Sequence, residues 1–385
     1  MNYDIIISGG GMLGLITAIG LSKESISVAV IEKNILPFAI NDNRAFAISQ
    51  GSKKILEEFG IWKYIDAEPI MDIMILDENS PVTVHYDHKT VSTEPMGYIV
   101  DSATIWNAIN NNFLDKINIY SGIPYEIVSY DCCYAEVILN DDKRLTSSLI
   151  ICAEGKNSAL RELLSIPTIK FNYKQSSIVC NVIHELHHQN LAVEHFFSSG
   201  PFAILPMKGG YTSSIVWTEE SKVAGMLMHL TDKEFVIELK KRFGSYLGEL
   251  ELTGTRKIYK LNFLFARDLY KNRVLLIGDA SHSIHPIAGQ GFNLGIRDVD
   301  SVIKHIVGAK KEGIDCGSSY VLNKISRDRY TDNFSMALAT DGINRIFSNR
   351  ILPIKMLRNI GLMIVENSDL LKKYFIKHAM GLFNS

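Results

Sequence analysis

Two widely separated clusters in this chain have residue types and spacing suited to holding a dinucleotide. The first is Gly9-Gly10-Gly11-Met12-Leu13-Gly14, with Gly9, Gly11 and Gly14 in the GxGxxG pattern. Such glycines permit a tight turn from strand to helix. They also let a pyrophosphate approach the helix N-terminus, where free N–H groups and the dipole favour an anion. The pattern alone is weak, but its setting is informative. The apolar run Ile5-Ile6-Ile7 precedes it, and a second strand, Val28-Ala29-Val30-Ile31, ends at Glu32. A carboxylate there can accept both hydroxyls of an adenosine ribose and would repel a 2′-phosphate, so the expected occupant is FAD or NAD and not NADP.

The second cluster runs from Gly278-Asp279 through His285-Pro286 to Ala288-Gly289-Gln290-Gly291-Phe292-Asn293. An acid at the end of the buried strand Val274–Ile277 can hold a polyol hydroxyl. A helix starting near Gly291 offers N–H donors to developing negative charge. A flavin has both a ribityl chain and an edge that becomes negative on reduction, whereas NAD has no ribityl chain, so this cluster favours FAD. His282 and His285 read as packed loop histidines. Pro286 and the nearby glycines oppose the regular helix that an HxxH metal site uses, and no metal is expected. A third stretch, Ala153-Glu154-Gly155, follows the strand Leu149–Cys152 and by itself says only strand, turn, helix.

The elements that must position these groups follow from pattern. The chain has 385 residues, 46% hydrophobic and 21% charged, with a net charge of -2. This composition fits a folded globular protein and gives no reason to expect a nucleic-acid partner. Five cysteines, Cys132, Cys133, Cys152, Cys180 and Cys316, include no CxxC pair, which suits a reducing cytoplasm better than a disulfide framework. No secretory signal and no membrane-spanning stretch are evident. A β-α-β unit covers residues 4–32, and a mostly helical stretch is expected at 45–66. Alternating apolar and polar residues at 176–218 read as strands, and helix dominates after residue 278. The expected fold class is α/β. A Rossmann-like FAD-binding domain (1–70, 98–170, 268–345) would carry an inserted, mainly antiparallel sheet for substrate (71–97, 171–267). The segment 346–385 would form a helical C-terminus.

Taken together, the three motifs resemble the class A flavoprotein aromatic hydroxylases of the para-hydroxybenzoate hydroxylase fold, in order and in spacing. A narrower resemblance covers nearly the whole chain. Asn43-Arg44-Ala45-Phe46-Ala47-Ile48-Ser49, Gly200-Pro201-Phe202-Ala203-Ile204-Leu205-Pro206, His285 through Val299, and Thr340-Asp341-Gly342-Ile343-Asn344-Arg345 are similar to the ubiquinone-biosynthesis hydroxylases, closest to the 2-polyprenyl-6-methoxyphenol hydroxylases. The resemblance implies bound FAD, NADH or NADPH as a transient reductant, O2 as cosubstrate, and a lipophilic polyprenylphenol hydroxylated through a flavin C4a-hydroperoxide. A membrane surface and a ubiquinone-biosynthesis protein complex are the partners it suggests, at the inner face of the membrane. Two departures stand out. Glu154 replaces the aspartate of the family's DG motif, and Val100–Ile105 lacks the arginine that reaches the FAD phosphates in many relatives. Lys33 and Arg44 are the cations left to compensate. The resemblance names no catalytic base.

Other readings remain open. A polyprenyl reductase of the same flavin fold would use no oxygen, and a non-catalytic FAD-binding member of a ubiquinone-synthesising complex would do no chemistry. A halogenase is disfavoured, because Trp62, Trp106 and Trp217 form no WxWxIP stretch. His184, His187, His188 and His195 read as a solvated sheet edge. The apolar segment Ile351–Phe383, interspersed with Lys355, Arg358, Lys372, Lys373 and Lys377, suits either packing on the flavin domain or contact with anionic lipid.

Overall fold

The computed structural model describes residues 1–36, 44–78, 80–90, 93–122, 125–130, 133–140, 142–349 and 351–381. Asn43, Cys132 and Phe383, named above, lie outside them. The first strand, Asn2–Ser8, has the strand Val28–Glu32 as its parallel neighbour on one side and Arg144–Cys152 on the other. Asn118–Ser121 extends this sheet in parallel beyond Val28–Glu32, and Val274–Leu276 does so beyond Arg144–Cys152. Where these strands are buried on both faces, at Ile5–Ile7, Val28–Ile31, Leu149–Ile151 and Val274–Leu276, they are written as continuous apolar runs. The helix Met12–Lys23 is apolar nearly all round because it lies in the core, packed on the long helix Gln290–Lys311.

A second, larger sheet is mostly antiparallel. Its order is His282–Ser283, Leu250–Ala266, Thr168–His184, Thr212–Glu220, Gly200–Met207, Leu191–Phe197, Asp72–Asp77, Val84–Asp87. The helices Ser221–Met228 and Asp232–Phe243 cover one face, seated on Ile178, Cys180, Phe202, Ile204, Ile215 and Trp217. The opposite face, carrying Ala192, Leu205 and Met207, meets Ala45 and Ala47 of the short strand Ala45–Ser49. Alternation along the strands assigns residues to one face or the other, with register shifts between Thr168–His184 and Leu250–Ala266 at Asn172/Ser176 and Val179/Asn181.

Several expectations need correction. Residues 45–49 form a strand, with helix only from Gln50 to Glu58. The strand is held by pairing with Gly97–Asp101 and by Asn293, partners that no local pattern reveals. His184 and His188 are buried and not solvated. His184 Nε2 lies 3.0 Å from Ser213 Oγ, and His188 Nε2 lies 2.8 Å from the Met207 carbonyl. Among the described residues, no group of three or more His, Cys, Asp or Glu side chains could hold a metal ion.

The loop after Val274–Leu276 is tied down by one buried carboxylate, Asp298. Its Oδ2 accepts from the Gly278 N–H at 3.0 Å and lies 2.7 Å from His282 Nε2. Its Oδ1 accepts from Arg329 Nε at 2.8 Å and from Asn333 Nδ2 at 3.1 Å. Burial alone would raise its pKa, but the charges and hydrogen bonds of His282 and Arg329 prevail and hold the carboxyl well below its usual range. The Asp298→Asn variant should lose about 3–5 kcal/mol, because a buried charge set loses its counter-ion. This would be read as a lowered urea midpoint. Because the folded pKa is depressed, the wild-type advantage should be complete above about pH 4 and shrink as the pH falls below it.

Candidate active site: a flavin groove

The carboxyl ends of the parallel strands converge, as a dinucleotide site of this topology requires. Backbone bonds link them in series: Gly9 N–H to the Ile31 carbonyl, Ala153 N–H to Ser8, and Ile277 N–H to Cys152, at 2.9, 2.7 and 3.1 Å. Gly9 has a φ of +109°, and a side chain there would start 2.6 Å from the Ala153 carbonyl oxygen. A side chain on Gly14 would start 1.9 Å from the Gly9 oxygen. Gly11 differs: a Cβ at this position would find no atom within 4 Å. The two outer glycines are therefore fixed by the turn itself, while the middle one opens onto free space at the start of a helix with no side-chain cap. That is the geometry a pyrophosphate needs.

Leu13 joins the two motifs. Its side chain lies so close to Gly278 and Gly295 that a Cβ on either would sit 2.5 or 2.4 Å from its Cδ1. Asp279 follows directly on Gly278. It is exposed to solvent in the groove, yet its surroundings are dense enough to raise its pKa; His282, Lys156 and Arg44 pull the other way. A carboxylate at the floor of a cleft, facing outward, suits a polyol chain. Glu32 lies at the far side of the same strand ends. Its Oε2 accepts from the Gly10 N–H at 2.7 Å, and its Oε1 accepts from the Asn34 N–H and Nδ2, both at 2.9 Å. The carboxylate is thus held rigidly beside the glycine turn.

The loop 286–291 contributes a second uncapped helix N-terminus. Ala288 and Gly289 take φ of +54° and +62°, turning the chain so that the helix Gln290–Lys311 begins at the groove. Pro286 and Ala288 are exposed there. The buried Gln290 Oε1 has no hydrogen-bond partner. The open Gly11, the groove-facing Asp279 and these two N-termini fit the diphosphate, ribityl and ring ends of FAD.

Not every candidate residue points its side chain to the groove. Met12 is buried in the core. Asn293 serves as a staple, donating to the Ala47 and Gly289 carbonyls and accepting from the Ser49 N–H. Phe292 packs on Phe46, ring centroids 4.6 Å apart. Lys33 is exposed, and the Arg44 guanidinium lies 5.5 Å from the Phe46 ring and 5.7 Å from that of Tyr259. Gly155, at φ +76°, turns the Ala153–Gly155 segment. Glu154 acts within the protein. It accepts from Ser8 Oγ at 2.5 Å, from Ser158 Oγ at 2.8 Å and from the Leu160 N–H at 3.0 Å. The sequence reading passed over the role of Arg161, which is fully buried and joins two flavin loops through the carbonyls of Ala280 and Lys156. His285 is also fully buried, and burial lowers its pKa to about 3, so it is a neutral packing residue.

This fold and this groove define a flavin-dependent monooxygenase. The chain belongs to the FAD binding domain family, matched over residues 2–111 and 130–313. The ubiquinone hydroxylase UbiL of Rhodospirillum rubrum is 36% identical, over 98% of this chain and 89% of its own. The 3-demethoxyubiquinol 3-hydroxylase of Escherichia coli is 30% identical, over 98% of both. Among solved structures, p-nitrophenol 4-monooxygenase PnpA from Pseudomonas putida DLL-E4 superposes with a TM-score of 0.79 over 98% of each chain, at 18% identity. That match shows the shared fold.

Gly295→Ala should weaken FAD retention about tenfold, in line with the 1–3 kcal/mol typical of overpacking. Adding Leu13→Ala should restore part of the loss. Flavin absorbance per mole of protein after gel filtration reads both effects, and additivity of the two losses would show that Leu13 does not couple the motifs.

Proposed function

We propose that this protein uses FAD, NAD(P)H and O2 to hydroxylate the aromatic ring of a polyprenylated phenol in ubiquinone biosynthesis. The observation that carries the reading is full-length kinship with ubiquinone hydroxylases, combined with a groove whose FAD-fitting residues lie on both sides of the Leu13 contact. The bound flavin supplies the oxygen chemistry. The protein's part is to grip the dinucleotide at Gly9, Gly11, Gly14 and Glu32, hold the ribityl chain at Asp279, and place the helix N-terminus at Gln290 beside the ring. The antiparallel sheet closes the opposite side and keeps water from the reacting atoms. Among the described residues one adenosine site is evident and FAD would fill it, so the nicotinamide is a visitor.

A lipid-borne substrate suits the C-terminal helices Leu352–Glu366 and Asp369–Ala379. No helix among the described residues is long and apolar enough to cross a membrane. The segment presents two different faces. Inward, Arg358 is buried against Asp77 at 2.6 Å, and Ile376 and Met380 are buried. Lys372 pairs with Glu366. Outward, Met356, Leu357, Ile360, Met363, Ile364, Leu370, Tyr374 and Phe375 are exposed. An apolar ridge with Lys373 and Lys377 exposed nearby matches the interfacial zone of an anionic bilayer. The protein works from the cytoplasmic side, at the membrane surface.

Purified protein should be yellow, bleach on addition of NAD(P)H without oxygen, and restore quinone synthesis in a strain lacking one ring hydroxylase. The accumulated intermediate should gain one oxygen atom by mass spectrometry. Product without added oxygen would favour the reductase, and colourless protein that takes up no FAD would favour the non-catalytic reading. Replacing Met356, Ile360 and Met363 by Glu should abolish flotation with anionic liposomes while leaving flavin content unchanged. Equal flotation of the variant would remove the membrane contact.

A further inference from the structure

The reading above leaves the ring hydroxyl of the phenol without a proton acceptor. The antiparallel sheet carries an acid without a side-chain partner where a hydrocarbon residue would be expected. On the strand Leu191–Phe197, the odd positions Leu191, Val193 and Phe197 pack under the covering helices. Alternation sends Ala192, Glu194 and Phe196 to the opposite face. There Ala192 clusters with Leu205, Met207, Ala45 and Ala47, and Phe196 stacks on Phe347 with centroids 4.0 Å apart. Glu194 is in register with Ala203 on one side and Ile75 on the other. This is the face that looks toward the flavin loops: Ala47 Cβ lies 2.9 Å from where a side chain on Gly289 would begin.

The Glu194 side chain has no hydrogen bond or ion pair with a described residue and remains partly accessible. A partnerless carboxylate on an apolar sheet face is costly, and such groups concentrate where chemistry needs them. Resting on the hydroxylase reading, we propose that Glu194 is the catalytic residue that accepts the proton of the substrate's ring hydroxyl. In this step the phenol O–H bond breaks and its proton passes to the Glu194 carboxylate. The electron pair stays on oxygen, leaving an electron-rich phenolate for attack on the activated oxygen and a neutral carboxylic acid in the apolar wall.

The energetics support the assignment. Burial raises the Glu194 pKa to about 8. A phenol titrates near 10 and an ordinary glutamate near 4.3, so transfer to Glu194 is uphill by about 2 units instead of about 6. The charged and titratable groups on the elements around it are occupied elsewhere. Asp77 is paired with Arg358, Glu366 with Lys372, and Asp341 with Arg345. Tyr86, pushed up to about 12 by burial and by Glu366, stays neutral. None of them contributes to the Glu194 shift, whose cause is burial.

The test is Glu194→Gln in the FAD-bound protein, with two readouts. The first is melting temperature against pH. A carboxyl whose folded pKa is raised lowers stability progressively as pH climbs from its unfolded value toward 8. The Gln variant escapes this loss, so its melting temperature should match wild type near pH 4.5 and exceed it increasingly up to pH 8. A constant difference would show that Glu194 does not titrate in this window and would overturn the proposal. The second readout is hydroxylation of 2-prenylphenol presented in detergent. The wild-type rate should rise through an inflection near pH 8. Glu194→Gln should lose the inflection and at least about 100-fold in rate, with flavin reduction by NAD(P)H unchanged. Glu194→Asp should keep the inflection at reduced rate. An unaltered pH profile in the Gln variant would equally overturn it. If wild type reduces its flavin but oxygenates no phenol, the hydroxylase reading itself fails, whatever the melting curves show.

Discussion

The flavin groove depends on one apolar contact, that of Leu13 with two glycines. It seats the glycine turn at the chain's start against the acidic loop some 265 residues later, and the strands leading into both lie in the same parallel sheet. Because neither Gly278 nor Gly295 carries a side chain, the first helix approaches both the loop and the helix behind it, and the two motifs share one cleft. The hydrogen-bond network of Asp298 fixes the other half of this junction, holding the loop backbone through Gly278 and its histidine through His282. Hydrophobic closeness sets the distance, and the buried charge network sets the orientation.

The same division of labour recurs on the substrate side. The helix-covered face of the antiparallel sheet is sealed with Phe202, Trp217 and Phe235 and gives a firm backing. The flavin-directed face is built from smaller and more varied residues, including Ala192, Ala203, Leu205 and Ser214. Ser214 Oγ and Asn181 Oδ1 are buried there without hydrogen bonds, as is Trp217 Nε1 on the helix-covered face.

What the sequence disclosed, and what it did not, follows from how far each cause lies along the chain. Gly9, Gly14 and Glu32 could be read at once, because a tight turn and a strand end are dictated within 25 residues. Asp279 was legible as the acid closing a buried strand. The strand Ala45–Ser49 was not legible, since Asn293 and Gly97–Asp101 hold it from afar. The histidines at 184 and 188 looked like a wet edge because their partners, the Ser213 hydroxyl and the Met207 carbonyl, belong to other strands. Arg358 passed for a surface cation because Asp77, its buried partner, lies 281 residues earlier. Glu194 was hidden in plain alternation: only knowing which face of the sheet looks at the flavin loops distinguishes it from a solvated glutamate.

The end of the last helix carries a consequence of its own. The Gly51 N–H donates to the Met380 carbonyl at 2.9 Å, and a side chain on Gly51 would begin 2.8 Å from the Gly381 oxygen. Two positions 330 apart thus occupy a single steric slot just after the strand Ala45–Ser49. A side chain at position 51 therefore requires the backbone of the terminal turn to move, whatever residue stands at 381.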